Sequence, residues 1–117
     1  KLTIDLNQIK QVFLNILLNS VDSIQNGGMI IITANPVESE SGQQHLQIII
    51  ADTGFGIPND KIEKVFDPFY TTKTGDEGGV GLGLSIAKQI IEAHNGRITI
   101  QSEVGKGTNV SLRLPTM

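Results

Sequence analysis

A stripe of amide side chains runs along the first helical pattern of the chain. At roughly 100° per residue, one narrow stripe collects Gln8, Gln11, Asn15, Asn19, Asp22 and Asn26 among mostly apolar neighbours. Amides offer both oxygen lone pairs and N–H donors, which suits a magnesium polyphosphate: Mg²⁺ takes hard oxygen ligands, and phosphates accept hydrogen bonds. The alternative is a thin solvated face, but such faces usually carry Lys, Glu or Arg, which favour helix more than Asn does. The stripe alone therefore favours a ligand site.

The turn "DTGFGIP" at residues 52–58 is a second candidate for chemistry. Asp52 ends an apolar strand, where open α/β sheets place ligand groups. Gly54 and Gly56 carry no side chains, so a flat ring could approach the backbone beside the carboxylate, which accepts hydrogen bonds from an exocyclic amine such as that of adenine. Taken alone, the turn is more typical of an aspartate that caps its own backbone.

The segment "VFDPFYTTKTGDEGGVGLGLS" at residues 65–85 is polar and rich in glycine after an aromatic start. Phe66 and Phe69 flank Pro68, and the run that follows has no periodicity. This pattern predicts a lid that closes over a ligand, with Lys73 as a cation and glycine amides for phosphate oxygens. An ordinary surface loop is the alternative.

Two familiar phosphate-binding motifs are excluded in that segment. A P-loop requires lysine where Leu84 stands. The dinucleotide fingerprint requires G-x-G-x-x-G, whereas Gly79, Gly81 and Gly83 are spaced G-x-G-x-G. Any phosphate site here must therefore be of another kind.

Composition limits the function classes. The 117 residues suffice for one domain over 1–117, and a net charge of −3 offers no basic surface for nucleic acid. The absence of cysteine excludes disulfides, thiolate metal sites and thiol nucleophiles. No apolar run is long enough for a signal or membrane segment, and the chain does not begin with methionine. We interpret it as a cytoplasmic part of a longer protein, and whether that protein is membrane-anchored stays open.

The predicted elements alternate between helix and strand. Asp5 or Asn7 caps the first helix, and a polar loop at 38–44 joins the first hairpin. We also expect His45, the next residue, to lie in the hairpin loop. An isolated helical turn is expected near 60–65. The order predicts a two-layer α/β (α+β) sandwich with helices on one face. The predicted strands are 2–4, 29–36, 46–52, 97–103 and 108–114, and the predicted helices are 7–25 and 82–94.

Five motifs in order resemble one family over essentially the whole chain. "NILLNSVDSI" resembles the N box, "DTGFGIP" the G1 box, "FDPFYTTK" the F box, "GGVGLGLS" the G2 box and "GKGT" the closing glycine motif. They are those of the ATP-binding catalytic domain of bacterial two-component sensor histidine kinases, in the Bergerat-fold (GHKL) superfamily. The form "PFYTTK" is most similar to the nitrogen-regulation type. The resemblance implies a mixed five-stranded β-sheet with about three helices on one face.

The resemblance also implies roles for individual residues, with ATP and Mg²⁺ as cofactors. Asn19 would ligate Mg²⁺, with Asn15 near the phosphates. Val80 replaces a common threonine and forfeits a hydroxyl contact, and Ser20 replaces a common alanine. Asp22 and Ser23 would line the pocket, and the expected base contacts are Asp52, Gly54, Gly56, Ile57 and Thr108. The other expected ATP contacts, in the lid and around the phosphates, are Phe66, Thr72, Lys73, Gly79, Val80, Gly81, Leu82, Gly83 and Leu84.

The implied activity is transfer of the γ-phosphoryl group of Mg-ATP to a histidine on a separate dimerisation domain, which then serves a response regulator. The intact protein would be a homodimer and this part monomeric. An ATPase and a non-enzymatic nucleotide-binding module are the alternatives. Hydrolysing relatives carry a general-base glutamate where Asn15 stands, which favours transfer over hydrolysis. We interpret His94, at a helix C-terminus that favours a partly positive imidazole, as structural.

Overall fold

A computed structural model describes residues 4–24, 27–67 and 83–116. Helix α1 spans Leu6–Ser23, and the Asp5 carboxylate accepts a hydrogen bond from the Gln8 amide at 3.2 Å. The predicted cap is therefore confirmed, although the helix begins one residue earlier than expected. Its buried positions recur every three or four residues and form one face; they are Ile9, Val12, Ile16 and Ser20.

Four antiparallel strands form the sheet in the order β1-β2-β4-β3. The predicted sandwich and both hairpins are confirmed, but His45 lies in β2 rather than in the hairpin loop. The resemblance implied a mixed five-stranded sheet; the described residues form four strands with antiparallel pairing alone. Most of the strand predicted at 2–4 lies outside the described residues, and Ile4 is not in a strand. The strands are β1 Ile30–Glu38, β2 Gln44–Asp52, β3 Arg97–Glu103 and β4 Gly107–Pro115.

Helical structure also follows the first hairpin. Two short 3-10 helices, Asn59–Lys61 and Glu63–Phe66, occupy the region where one isolated turn was predicted. Helix α2 spans Gly83–Ala93, within the predicted range 82–94. It packs against both α1 and β3 on the same face of the sheet.

The core lies between this helix pair and one face of the sheet, and its inward rows end in polar residues. Along β2 the buried row runs Ile48, Ile50, Asp52, because alternate residues of a strand share a face. The row of β4 ends in Thr108 and that of β3 in Ser102, and the pairing register places Thr108 opposite both Asp52 and Ser102. Three polar side chains therefore lie side by side where the apolar core ends. The buried apolar side chains are Ile9, Val12, Ile16, Ile48, Ile50, Ala87, Ile91, Ile98, Val110, Leu112 and Leu114.

His94 joins the far ends of the two helices. Its Nε2 accepts a hydrogen bond from the Asp5 amide at 3.0 Å, and its Nδ1 lies 2.8 Å from the Ile90 carbonyl oxygen. Because Nε2 is an acceptor, the proton must reside on Nδ1, which donates to that carbonyl. His94 thus makes the structural contact that was expected of it.

We expect His94→Ala to lower the free energy of unfolding by about 1 kcal/mol, because two hydrogen bonds of a half-buried ring are lost. Nucleotide affinity should not change, since the contact lies at the helix ends remote from Asp52 and Gly83. Urea unfolding measures the first quantity. His45→Ala is the matched control, because within the described ranges that ring makes a single 3.3 Å contact, with the Gln43 carbonyl. An equal loss in both variants would contradict the role of His94.

Candidate nucleotide-binding site

Asp52 uses one carboxylate oxygen for the protein and leaves the other available. Its Oδ1 accepts from the Gly54 amide at 2.9 Å and lies 3.3 Å from Ser23 Oγ, whose single hydrogen is shared with the Ser20 carbonyl. Its Oδ2 has no hydrogen-bond partner among the described residues. Among the described residues, every fully buried polar side-chain atom has a hydrogen-bond partner. Because Oδ2 has none there, it must be exposed to solvent, although Asp52 as a whole is only 8% exposed. Asp52 is thus both the cap of its turn and an outward-facing acceptor.

A cavity of about 380 Å³ opens at the end of the sheet where β2, β3 and β4 meet. Its walls are polar side chains and turn backbone rather than the apolar surface typical of ligand pockets. Gln101 and Asn109 alternate with Ser102 and Thr108 and so lie on the opposite face of the sheet, which means that this cavity is not itself the base-binding site. The lining residues are Asp52, Gln101, Ser102, Glu103, Lys106, Gly107 and Asn109.

The two glycines of the turn are required by the protein's own packing. A Cβ at Gly54 would collide with the Ser23 side chain, and one at Gly56, whose φ is +79°, would collide with the Glu103 carbonyl. In the structure the backbone at Gly54 therefore lies close against α1, and the backbone at Gly56 lies close against the end of β3. The Ile57 amide adds a 2.7 Å hydrogen bond to Ser102 Oγ. Together these contacts fix the turn beside Asp52.

Ser102 is a site residue that the sequence reasoning missed. Besides the Ile57 amide, its hydroxyl contacts the Gly107 carbonyl at 2.9 Å and Thr108 Oγ1 at 2.8 Å. The available signal was the alternation of β3, which places Ile98, Ile100 and Ser102 on the inward face. A serine in an inward row needs a polar partner, and here it has three.

Asn15 and Asn19 meet the first turn of α2. The Asn15 Nδ2 donates to the Gly83 carbonyl at 3.1 Å, and its Oδ1 accepts from Gln11 Nε2 at 2.8 Å. A Cβ at Gly83 would lie 3.7 Å from Asn19 Nδ2. The amide N–H groups of a helix's first turn have no partner within the helix. The free backbone N–H groups of α2 and the side-chain amides of Asn15 and Asn19 therefore lie together at one end of the site.

The spacing of α1 links this end to Asp52. Asn15, Asn19 and Ser23 are each four residues apart and so lie on one face. Eight residues correspond to about 12 Å of helix axis, at about 1.5 Å per residue. One helix face thus runs from the contact with Gly83 to the contact with Asp52.

Asn19 fits a hard-metal ligand at the centre of this row. It is half-buried, and its side chain makes no hydrogen bond within the described part of the chain. Those residues contain no group of three His, Cys, Asp or Glu that could hold a metal. Mg²⁺ does not need one, since it commonly takes one or two protein oxygens and completes its shell with phosphates and waters.

Three further predicted contacts lie within the described residues. Phe66 and Leu84 pack at the margin of the core, and Lys88 Nζ lies 5.1 Å from the centre of the Phe66 ring. Asp22 is exposed on α1. The remaining predicted contacts lie outside the described residues; they are Thr72, Lys73, Gly79, Val80, Gly81 and Leu82. No helix in the described ranges is long and apolar enough to cross a membrane.

The fold and this site define a nucleotide-binding domain of the ATPase class, and comparison with known proteins gives the family. Residues 4–117 match the family described as histidine kinase-, DNA gyrase B-, and HSP90-like ATPase. The chain belongs to this family, which makes it an ATP-binding domain.

Its relatives include sporulation kinases and sensor histidine kinases. The chain is 44% identical over 109 residues to Sporulation kinase E of Bacillus subtilis, covering 93% of this chain and 14% of that protein. It is 40% identical to the sensor histidine kinase ZraS of Escherichia coli K12, covering 95% of this chain and 22% of the relative. The chain thus spans less than a quarter of either protein. The nitrogen-regulation subtype stays a prediction.

Solved structures of the same kind share the fold. The catalytic domain of histidine kinase ThkA aligns with a TM-score of 0.80 at 33% identity, covering 97% of this chain and 70% of that one. Full-length ShkA in complex with AMPPNP aligns with a TM-score of 0.78 at 28% identity, covering 92% of this chain and 21% of that one. The chain therefore corresponds to the catalytic ATP-binding domain of a histidine kinase.

Proposed function

We propose that this domain binds Mg-ATP and presents the γ-phosphoryl group to a histidine on a separate dimerisation domain, in a sensor kinase of a two-component system. The observation that carries the proposal is the row along α1. Ser23 contacts Asp52 at one end and Asn15 contacts Gly83 at the other, so one surface offers a base acceptor, a metal ligand and helix N–H donors. A nucleoside triphosphate presents the complementary groups in that order.

The end of the site that contains Asp52 and Thr108, the base end, suits adenine. Asp52 Oδ2 is an acceptor that reaches solvent, and Thr108 is its cross-strand neighbour. An exocyclic amine donates to such oxygens, whereas a carbonyl in the same place would oppose them. The base would lie against the turn that contains Gly54, Gly56 and Ile57.

The phosphate end supplies charge without a P-loop lysine. Asn19 would hold Mg²⁺, which neutralises phosphate charge when bound, and the first turn of α2 would donate backbone N–H groups to the phosphate oxygens. Lys73 and the glycine amides of the G2 box would add to this. The likeness to ShkA, whose structure is a complex with AMPPNP, supports a nucleotide here.

Transfer suits this site better than hydrolysis. Asn15 stands where hydrolysing relatives carry a general base, and its amide oxygen and nitrogen are both hydrogen-bonded, to Gln11 and Gly83. An amide does not accept a proton at neutral pH. The domain would therefore act mainly by positioning the phosphoryl group for in-line attack.

The nucleophile would come from outside this chain. Both ring nitrogens of His94 are hydrogen-bonded, and His45 lies in β2 on the face opposite its buried row. The partners of the intact kinase would be its own histidine-bearing dimerisation domain in a homodimer and a response regulator, and the present domain would be monomeric. It would act in the cytoplasm, with any membrane anchor elsewhere in the protein.

We expect the domain alone to bind ATP, hydrolyse it very slowly and acquire no label from γ-labelled ATP. Supplied in trans with the dimerisation domain of its own kinase, it should label that domain on histidine. Labelling should be weak, because separation removes the effective concentration, on the order of millimolar, that a short linker provides. An acceptor domain with its histidine replaced by alanine is the control.

Rapid turnover by the domain alone would favour the ATPase alternative. Tight ATP binding without label on any added acceptor domain would favour the non-enzymatic module. Label on His94 would contradict its structural role.

A further inference from the structure

We infer that Ser102 is a positioning residue that sets base specificity by fixing the direction of the Thr108 hydroxyl. The inference rests on the proposed function, because it concerns which base the site accepts. Ser102 would make the base end a surface of acceptors alone, which selects a purine with an amine at position 6 over one with a carbonyl.

The direction of the hydroxyl follows from counting hydrogens. Ser102 Oγ lies 2.9 Å from the Gly107 carbonyl oxygen, which can only accept, so the single Ser102 hydrogen points there. Ser102 Oγ also lies 2.8 Å from Thr108 Oγ1. With the serine hydrogen already used, Thr108 must donate. The Thr108 hydrogen is therefore directed at Ser102, and only lone pairs remain on Thr108 Oγ1 for any ligand.

Every donor and acceptor position of the Ser102 hydroxyl is used, which opposes any change in the direction of the Thr108 hydroxyl. Ser102 Oγ donates once and accepts twice, from Thr108 and from the Ile57 amide at 2.7 Å. A hydroxyl oxygen has no further capacity. Turning the Thr108 hydroxyl toward a ligand would leave Ser102 one hydrogen bond short.

The fixed hydroxyl and the carboxylate then act together. Thr108 and Asp52 are opposite each other in the β2–β4 register, so their Cβ atoms lie about 5 Å apart. Both residues are 8% exposed. A ligand carbonyl facing these two acceptors finds no donor on them, and sites built to hydrogen-bond one group strongly reject analogues that lack it.

The test compares ATP with inosine triphosphate, whose purine carries a carbonyl in place of the amine at position 6 and a hydrogen on the adjacent N1, where adenine has a lone pair. The quantity measured is the ratio of the two dissociation constants by titration calorimetry in the presence of Mg²⁺. In Ser102→Ala the Thr108 hydroxyl is released and is free to donate to the carbonyl. We expect the ratio to fall about 5- to 20-fold, the effect of one hydrogen bond gained by one ligand and weakened for the other. Ser102→Thr, which keeps a hydroxyl, should keep the ratio of the unmodified domain.

A double-mutant cycle separates this role from general loosening of the turn. In a Thr108→Val background there is no hydroxyl to direct, so Ser102→Ala should leave the ratio unchanged. If Ser102→Ala weakened both nucleotides equally, or changed the ratio equally in both backgrounds, the inference would be wrong.

Thr108→Val alone gives a second test if Ser102→Ala does not fold. It should weaken ATP binding and leave inosine triphosphate binding equal or stronger; a matched loss of both would overturn the inference. Failure of the unmodified domain to bind any nucleotide would instead reject the proposed function itself, and the inference with it.

Discussion

Asp52→Asn is expected to weaken ATP binding about 10- to 100-fold, since hydrogen bonds to charged groups are worth roughly 1.5–3 kcal/mol. The two carboxylate oxygens of Asp52 would be affected differently. The asparagine oxygen can take the place of Oδ1 and keep the hydrogen bond from the Gly54 amide. Its NH₂ group then replaces Oδ2 and presents donors where the adenine amine also presents donors. The turn is preserved and the polarity of the base end is reversed.

The same substitution should therefore shrink the preference for ATP over GTP, because guanine presents a carbonyl at that position. Calorimetric titration with both nucleotides measures this, and Asp60→Asn is the matched control, being the same change at an exposed aspartate. Ser23→Ala should have a smaller effect, since its hydroxyl is 3.3 Å from Oδ1 and is shared with Ser20. An equal loss for ATP and GTP in Asp52→Asn would mean that the residue acts only as the cap of its turn.

Local patterns were enough to predict most of the fold. The helical period of α1, the cap at Asp5 and the alternation of β3 and β4 are properties of neighbouring residues, and all of them appear in the structure. The order β1-β2-β4-β3 was not predicted, because the pairing of β2 with β4 joins residues more than fifty positions apart. His45 was misplaced because a strand can continue through a polar segment when a partner strand supplies its hydrogen bonds.

Prediction of the site was limited by register in the same way. Asp52 and the asparagine stripe were apparent because each breaks an apolar pattern with a polar group. Ser102 was not, because its three partners become visible only when β3 is aligned with β4 and the turn after β2 is brought to it. The roles of Gly54 and Gly56 were interpreted as room for a ring, whereas their packing against Ser23 and Glu103 is a tertiary contact that no local pattern contains.

Asn19→Ala is expected to abolish most of the contribution of Mg²⁺ to ATP affinity while leaving the fold intact. Asn19 sits between the base end and the first turn of α2, and its side chain makes no hydrogen bond within the described ranges, so its removal breaks no protein contact there. Alanine also favours helix more than asparagine does, so thermal stability should be equal or higher.

The measurement is the dissociation constant of ATP with Mg²⁺ and with a chelator, beside a thermal melt. In the unmodified domain the ratio of the two dissociation constants measures how much Mg²⁺ contributes to ATP affinity. In Asn19→Ala this ratio should approach one. The expected loss of affinity with Mg²⁺ is about 10- to 100-fold, the range seen when groups that support a bound metal are removed. Asn7→Ala is the matched control, because it makes the same change at an exposed asparagine of the same helix. A folded Asn19→Ala domain with an unchanged ratio would exclude Asn19 as the ligand, and Mg²⁺ would then have to be held by the phosphates and other oxygens of the site.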